Sequence, residues 1–139
     1  MAYLIISKEV GDDIDAMYGT GVQADADAAA EAQYLLEKLV EDQHVLAALC
    51  IAKNHYDYDP AFEVKPFVEA QRRGKNIFSI KLRYQDGTLV DQRLFIGYHA
   101  QKDQYHVLGI APRSYCYDTK HEHFARLLDR YEQSGIPDY

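Results

Sequence analysis

Residues 77–84 alternate strictly, with Phe78, Ile80 and Leu82 against Ser79, Lys81 and Arg83, and this period of two demands a strand with one apolar face. Asp86-Gly87 follows. An Asp-Gly pair between two alternating runs predicts a hairpin, because both central residues of a type I′ turn take positive φ. The return strand covers 90–98, with Val90, Leu94, Ile96 and Tyr98 on one parity and Asp91, Arg93, Phe95 and Gly97 on the other. After a polar turn at 101–104, a third run over 105–111 places Leu108 and Ile110 on one face and Val107, Gly109 and Ala111 on the other. With the more aliphatic faces packed on helices, Lys81, Arg93 and Arg113 emerge together on the opposite face of a three-stranded meander.

The chain has 139 residues, enough for a single domain with its own core and no disulfide or metal to hold it. Apolar residues make up 47% and charged residues 27%, a globular rather than a disordered balance. No apolar run predicts a membrane span or a secretory signal. Cys50 and Cys116 are the two cysteines and neither sits in a CxxC, which predicts a reduced, cytoplasmic setting and argues against a thiolate zinc site.

Charge divides the chain. Residues 1–64 carry three Lys/Arg against thirteen Asp/Glu, while residues 65–139 carry twelve against nine. A net charge of −7 repels nucleic acid at long range, so contact with RNA has to be local or delivered by a larger partner.

In chain order, residues 3–7 (YLIIS) read as a first strand, and Asp12 or Asp13 as the N-cap of a brief helix through Met17. Gly19-Thr20-Gly21 lacks the continuation of a phosphate loop and reads as a hinge. One long helix is expected over 25–51, with Ala32, Leu35, Leu36, Leu39, Leu46, Leu49 and Cys50 as its apolar stripe. Residues 54–60 mix His and Asp without the spacing of a known ligand loop. Pro66 confines the extended stretch 62–68 to a sheet edge, and Arg72-Arg73-Gly74-Lys75 is the densest basic cluster. A final helix is predicted with a capping box over 119–122 and a narrow stripe of Phe124, Leu127, Leu128 and Tyr131, laid on the edge of the sheet. No internal repeat or linker calls for a second domain.

Several chemistries fail on spacing. His121 and His123 lie two apart and diverge on a helix, unlike the i, i+4 pair of HExxH; no GxSxG elbow is present, and Cys116 has no spacing-defined His partner. Phosphodiester chemistry fits better. The segments Asn76-Ile-Phe-Ser-Ile-Lys-Leu-Arg83, Asp91-Gln-Arg-Leu-Phe-Ile-Gly-Tyr98 and Tyr105-His-Val-Leu-Gly-Ile-Ala-Pro-Arg113, closed by a C-terminal helix, resemble the RelE/ParE/HigB toxin superfamily over roughly residues 62–133. A basic residue on the first meander strand, an Arg on the second and a basic residue after the third carry the resemblance, at Lys81 or Arg83, Arg93 and Arg113.

The resemblance implies an α+β fold, a twisted antiparallel sheet of four to six strands with helices on one face. It further implies a toxin of a toxin–antitoxin pair, a metal-independent endoribonuclease that cleaves ribosome-bound mRNA without a cofactor, with an antitoxin protein, the ribosome and mRNA as partners. In such a reaction the 2′-hydroxyl attacks the adjacent phosphate, so a base, cationic stabilisation and an acid are needed. Arg93 and Arg113 would grip the phosphate, Lys81 or a nearby His or Tyr would serve as base, and Tyr115 or Tyr117 would stack on a nucleotide base or orient it, with Arg83, Arg72 and Arg73 as further substrate contacts. Two departures stand out: the chain is acidic, and its N-terminal half exceeds the minimal fold. Two other readings follow from them, a non-catalytic ParE-like module docking on a protein such as gyrase, and a small phage- or plasmid-type interaction protein. The arginines would then be spent in salt bridges to Asp91, Asp103 or Glu63.

Overall fold

The structure is a computed structural model that describes residues 2–47, 49 and 63–139. The expected helix end at 51, Cys50 and the His/Asp stretch at 54–60 lie outside the described residues. The chain forms β1 (Tyr3–Ile6), α1 (Lys8–Tyr18), α2 (Gln23–Glu41), α3 (Gln43–Ala47), β2 (Val64–Pro66), α4 (Val68–Arg72), β3 (Ile77–Arg83), β4 (Leu89–His99), β5 (Gln104–Pro112) and α5 (Glu122–Gln133). The five strands make one sheet in the order β1-β5-β4-β3-β2.

The fold is α+β with a mixed sheet. The meander β3-β4-β5 and the edge strand β2 pair antiparallel, whereas β1 runs parallel to β5, Tyr3 opposite Gln104 through Ile6 opposite Val107. The expectation of a wholly antiparallel sheet fails there, because a strand followed by helices returns to the sheet without a hairpin. Helices also cover both faces rather than one. On one face Val10 and Ile14 of α1 and Ala28, Ala32, Leu36 and Leu39 of α2 bury Ile80, Leu82, Leu94, Ile96 and Val107. On the other, Phe124, Leu127 and Tyr131 of α5 bury Ile77, Phe95, Leu108 and Ala111. Thus α5 lies on a face, not along an edge.

Local chemistry explains further differences. Ser7 caps α1 by accepting a hydrogen bond from the Val10 amide, so that helix begins before Asp12. The long helix breaks at Asp42, whose carboxylate accepts from the amides of His44 and Val45 and so caps α3. The α5 cap is His121, whose Nδ1 accepts from the His123 amide, in place of Thr119. In the hairpin only Gly87 has positive φ (87°). The chain there makes a turn closed by Gly87 N–H to the Tyr84 carbonyl, with the Asp86 carboxylate accepting from the Thr88 amide and hydroxyl, not a type I′ turn.

A bulge shifts the β4–β5 register between Phe95 and Ile96, which face Gly109 and Val107. Leu108 is the extra residue and joins the α5 face with Ala111, while Val107 and Ile110 face α1 and α2, so the expected partners Leu108 and Ile110 part, as do Val107 and Ala111.

Candidate nucleic-acid interface

Pairing register builds the site. Lys65 of β2 is the Cα partner of Ser79, Lys81 of Arg93, and Ser79 of Phe95, so Lys65, Ser79, Lys81 and Arg93 share the sheet face on which α5 packs. The loop after β5 brings Tyr117 over this row. The hydroxyls of Tyr117 and Ser79 share a hydrogen bond of 2.9 Å, and the Lys65 ammonium stands 5.2 Å from the Tyr117 ring centroid. Phe67 and Phe95 hold that ring edge-on at 5.4 and 6.0 Å.

Of the expected residues, Lys81, Arg83, Arg93 and Tyr117 come together. Lys81 Nζ lies 3.1 Å from Glu63 Oε2, and Arg83 pairs with the other oxygen of the same carboxylate. Arg83 first and Lys81 second hold Glu63 below the usual carboxylate range, so it stays ionised between them. Arg83 also donates to the Gly87 carbonyl at 2.8 Å. Neither Asp91 nor Asp103 forms a salt bridge with these cations among the described residues; Glu63 does.

Arg93 departs from its expected role. It is only 3% exposed, and its Nη1 donates to the carbonyls of Val90 and Gln92, both at 3.1 Å. Its Nε is buried without a partner. Buried, with Nη1 committed to its own strand, this guanidinium does not present its fork to an external phosphate. Arg113 is exposed, with its amide donating to the Asp91 carbonyl at 3.3 Å. Tyr115 stacks on His121, ring centroids 3.9 Å apart at 11°. Arg72 pairs with Glu69 within α4 and is not drawn into the row, whereas Arg73 lies 4.9 Å over the ring of Phe124, which itself touches Phe67.

Three groups around this loop are buried, Arg93, Cys116 and His123. Burial pushes the Cys116 thiol up, with Arg93 opposing in part. Burial, aided by the charges of Arg126, His121 and Arg130, pulls His123 down to about 4, so its imidazole is neutral near pH 7 and packs edge-on against Phe95 at 5.1 Å. Sequence reasoning offered Glu63 as a salt-bridge partner for the arginines but missed Lys65 and Ser79 as members of this site. Only the extended stretch 62–68 hinted at Lys65, since an edge strand beside the meander has to present alternate residues to the same face.

Among the described residues no group of three or more His, Cys, Asp and Glu is arranged to hold a metal, and no helix is long and apolar enough to cross a membrane. Comparison with protein-family models, with curated proteins and with solved structures finds no match to the chain.

Proposed function

We propose that the chain is a toxin-like protein of RelE type, a metal-independent endoribonuclease acting on ribosome-bound mRNA through the face formed by Lys65, Ser79, Lys81 and Tyr117. The single observation that carries the reading is the Tyr117–Ser79 hydroxyl pair at 2.9 Å with the Lys65 ammonium against the same ring, two residues along β3 from Lys81. Ammonium groups beside a tyrosine hydroxyl suit a phosphodiester: the cations meet the phosphate oxygens and stabilise the charge gathered as the 2′-oxygen attacks and the bond to the 5′-oxygen breaks, while the Tyr117 hydroxyl, held by the buried Ser79, orients it. Glu63, ionised between Arg83 and Lys81, supplies a carboxylate acceptor on the same face. Arg113 is an exposed cation after β5. Arg93 acts in this reading as a buried positioning residue for β4 and not as the phosphate grip.

The test is induced expression in bacteria, with growth and transcript ends followed for wild type, Lys81→Ala and Tyr117→Phe. The expected result is growth arrest with transcripts cut inside translated codons for wild type, and loss of cutting in Lys81→Ala at unchanged soluble protein. Intact transcripts under a well-expressed wild type would contradict the reading.

A second reading, a non-catalytic module of the same type that docks on a protein, is favoured by one observation: Glu63 already neutralises Lys81 and Arg83. Growth arrest with intact transcripts, retained in Lys81→Ala, is its signature.

A further inference from the structure

On the other side of the sheet from Lys81, α1 and α2 leave a groove of about 410 Å³. Its apolar lining includes Ile6, Leu36 and Val40, and its rim includes Asp15, Glu37 and Glu41. Leu36 forms a buried floor, but Ile6 and Val40 are 40% and 55% exposed, so aliphatic surface remains in water. Among the described residues no lysine, arginine or histidine forms an ion pair with Asp15, Glu37 or Glu41. Residues 8–42 carry ten acidic side chains against two lysines, so the field over the groove is negative.

We infer that this groove is a docking surface for a protein segment, an amphipathic helix whose aliphatic stripe is flanked by lysine or arginine. The charge selects that chemistry: an acidic rim repels nucleic acid and anionic lipid alike, while basic flanks on a partner would pair with Asp15, Glu37 and Glu41 around the buried stripe. The geometry selects a helix. Gln33, Leu36, Glu37, Val40 and Glu41 line the groove at spacings of three and four, the ridge of two successive helical turns into which a second helix packs. This inference does not depend on the RNA reading, since it uses none of that face.

The experiment titrates fluorescein-labelled 14-residue peptides into the full chain, followed by anisotropy. One peptide is a leucine/lysine amphipathic helix and the other its leucine/glutamate counterpart. Saturable binding of the leucine/lysine peptide alone is expected, weakened about tenfold or more in Val40→Asp. That variant is decisive, because it adds negative charge: attraction by charge alone would strengthen, whereas burial on the groove weakens. Glu37→Lys/Glu41→Lys should transfer preference to the leucine/glutamate peptide, while Glu122→Lys/Asp129→Lys on α5 leaves it unchanged. Circular dichroism confirms that each variant is folded. Absence of binding to wild type, or a Val40→Asp variant that binds as well as wild type, would overturn the proposal. So would a dimer, seen by sedimentation without peptide and dissolved by Val40→Asp, since it would assign the groove to a second copy of the chain.

Discussion

Arg93 and Lys81 face each other across β3 and β4, yet their replacement should report on different things. Arg93→Ala removes the donor from the buried carbonyl of Val90 and the half-buried one of Gln92 and should cost about 1–3 kcal/mol, read as a lower denaturant midpoint. Lys81, a partly exposed partner of Glu63, should change stability by less than about 0.5 kcal/mol on truncation. Its effect belongs to function. His123 gives the pH dependence its sign. Its folded value is near 4 against an ordinary value of about 6.5, so between those limits the unfolded chain takes up a proton that the native one refuses. Stability is therefore full above about pH 6.5 and falls as the pH drops towards 4, by on the order of 3 kcal/mol. His106, also lowered by burial, acts in the same direction. Chemical denaturation of His123→Phe from pH 7 to pH 4 should show a shallower decline than wild type; an identical slope would remove His123 from the account.

At the scale of elements, the C-terminal segment is seated by glycine. A Cβ at Gly97 would meet Ile136 Cδ1 at 2.8 Å and the side chains of Leu108 and Tyr131 at 3.2 Å, so Gly97→Ala should overpack that face and cost about 1–3 kcal/mol, measured by thermal melting. The same segment is tied down by Tyr131, whose hydroxyl accepts from the Asn76 amide and donates to the Pro137 carbonyl, both at 3.0 Å. The meander was legible from period-two alternation, and the stripe of Phe124, Leu127 and Tyr131 from its helical spacing, because both patterns are local. The parallel seat of β1 was not, since nothing in Tyr3–Ile6 names β5 as its neighbour. Nor was the bulge at Leu108, a single-residue register shift that inverts face assignments without altering composition. The break at Asp42 carries neither Gly nor Pro, only a carboxylate that caps the next turn.

Across the whole molecule, carboxylates crowd α1 and α2, while Lys65, Lys81 and Arg83 gather around β2 and β3. The sequence marked this division, and with it Lys81, Arg83 and Tyr117 as candidates. It named Glu63 as one of three possible salt-bridge partners, but it could not mark Lys65 and Ser79 as their companions, because that depends on the register of Val64 opposite Ile80. Nor could it show that Arg93 is buried, since a guanidinium in an alternating strand looks the same whether its face is open or covered by a loop and a helix. If the Lys65–Lys81 row holds RNA phosphate, binding of a fluorescein-labelled 12-nucleotide single-stranded RNA as a function of salt reports it. For wild type, binding should weaken with salt at a slope of about −0.7 per phosphate contacted, and Lys65→Ala/Lys81→Ala should reduce the slope by about 1.4. An unchanged slope and affinity in that folded double variant would contradict the claim and take RNA off this face.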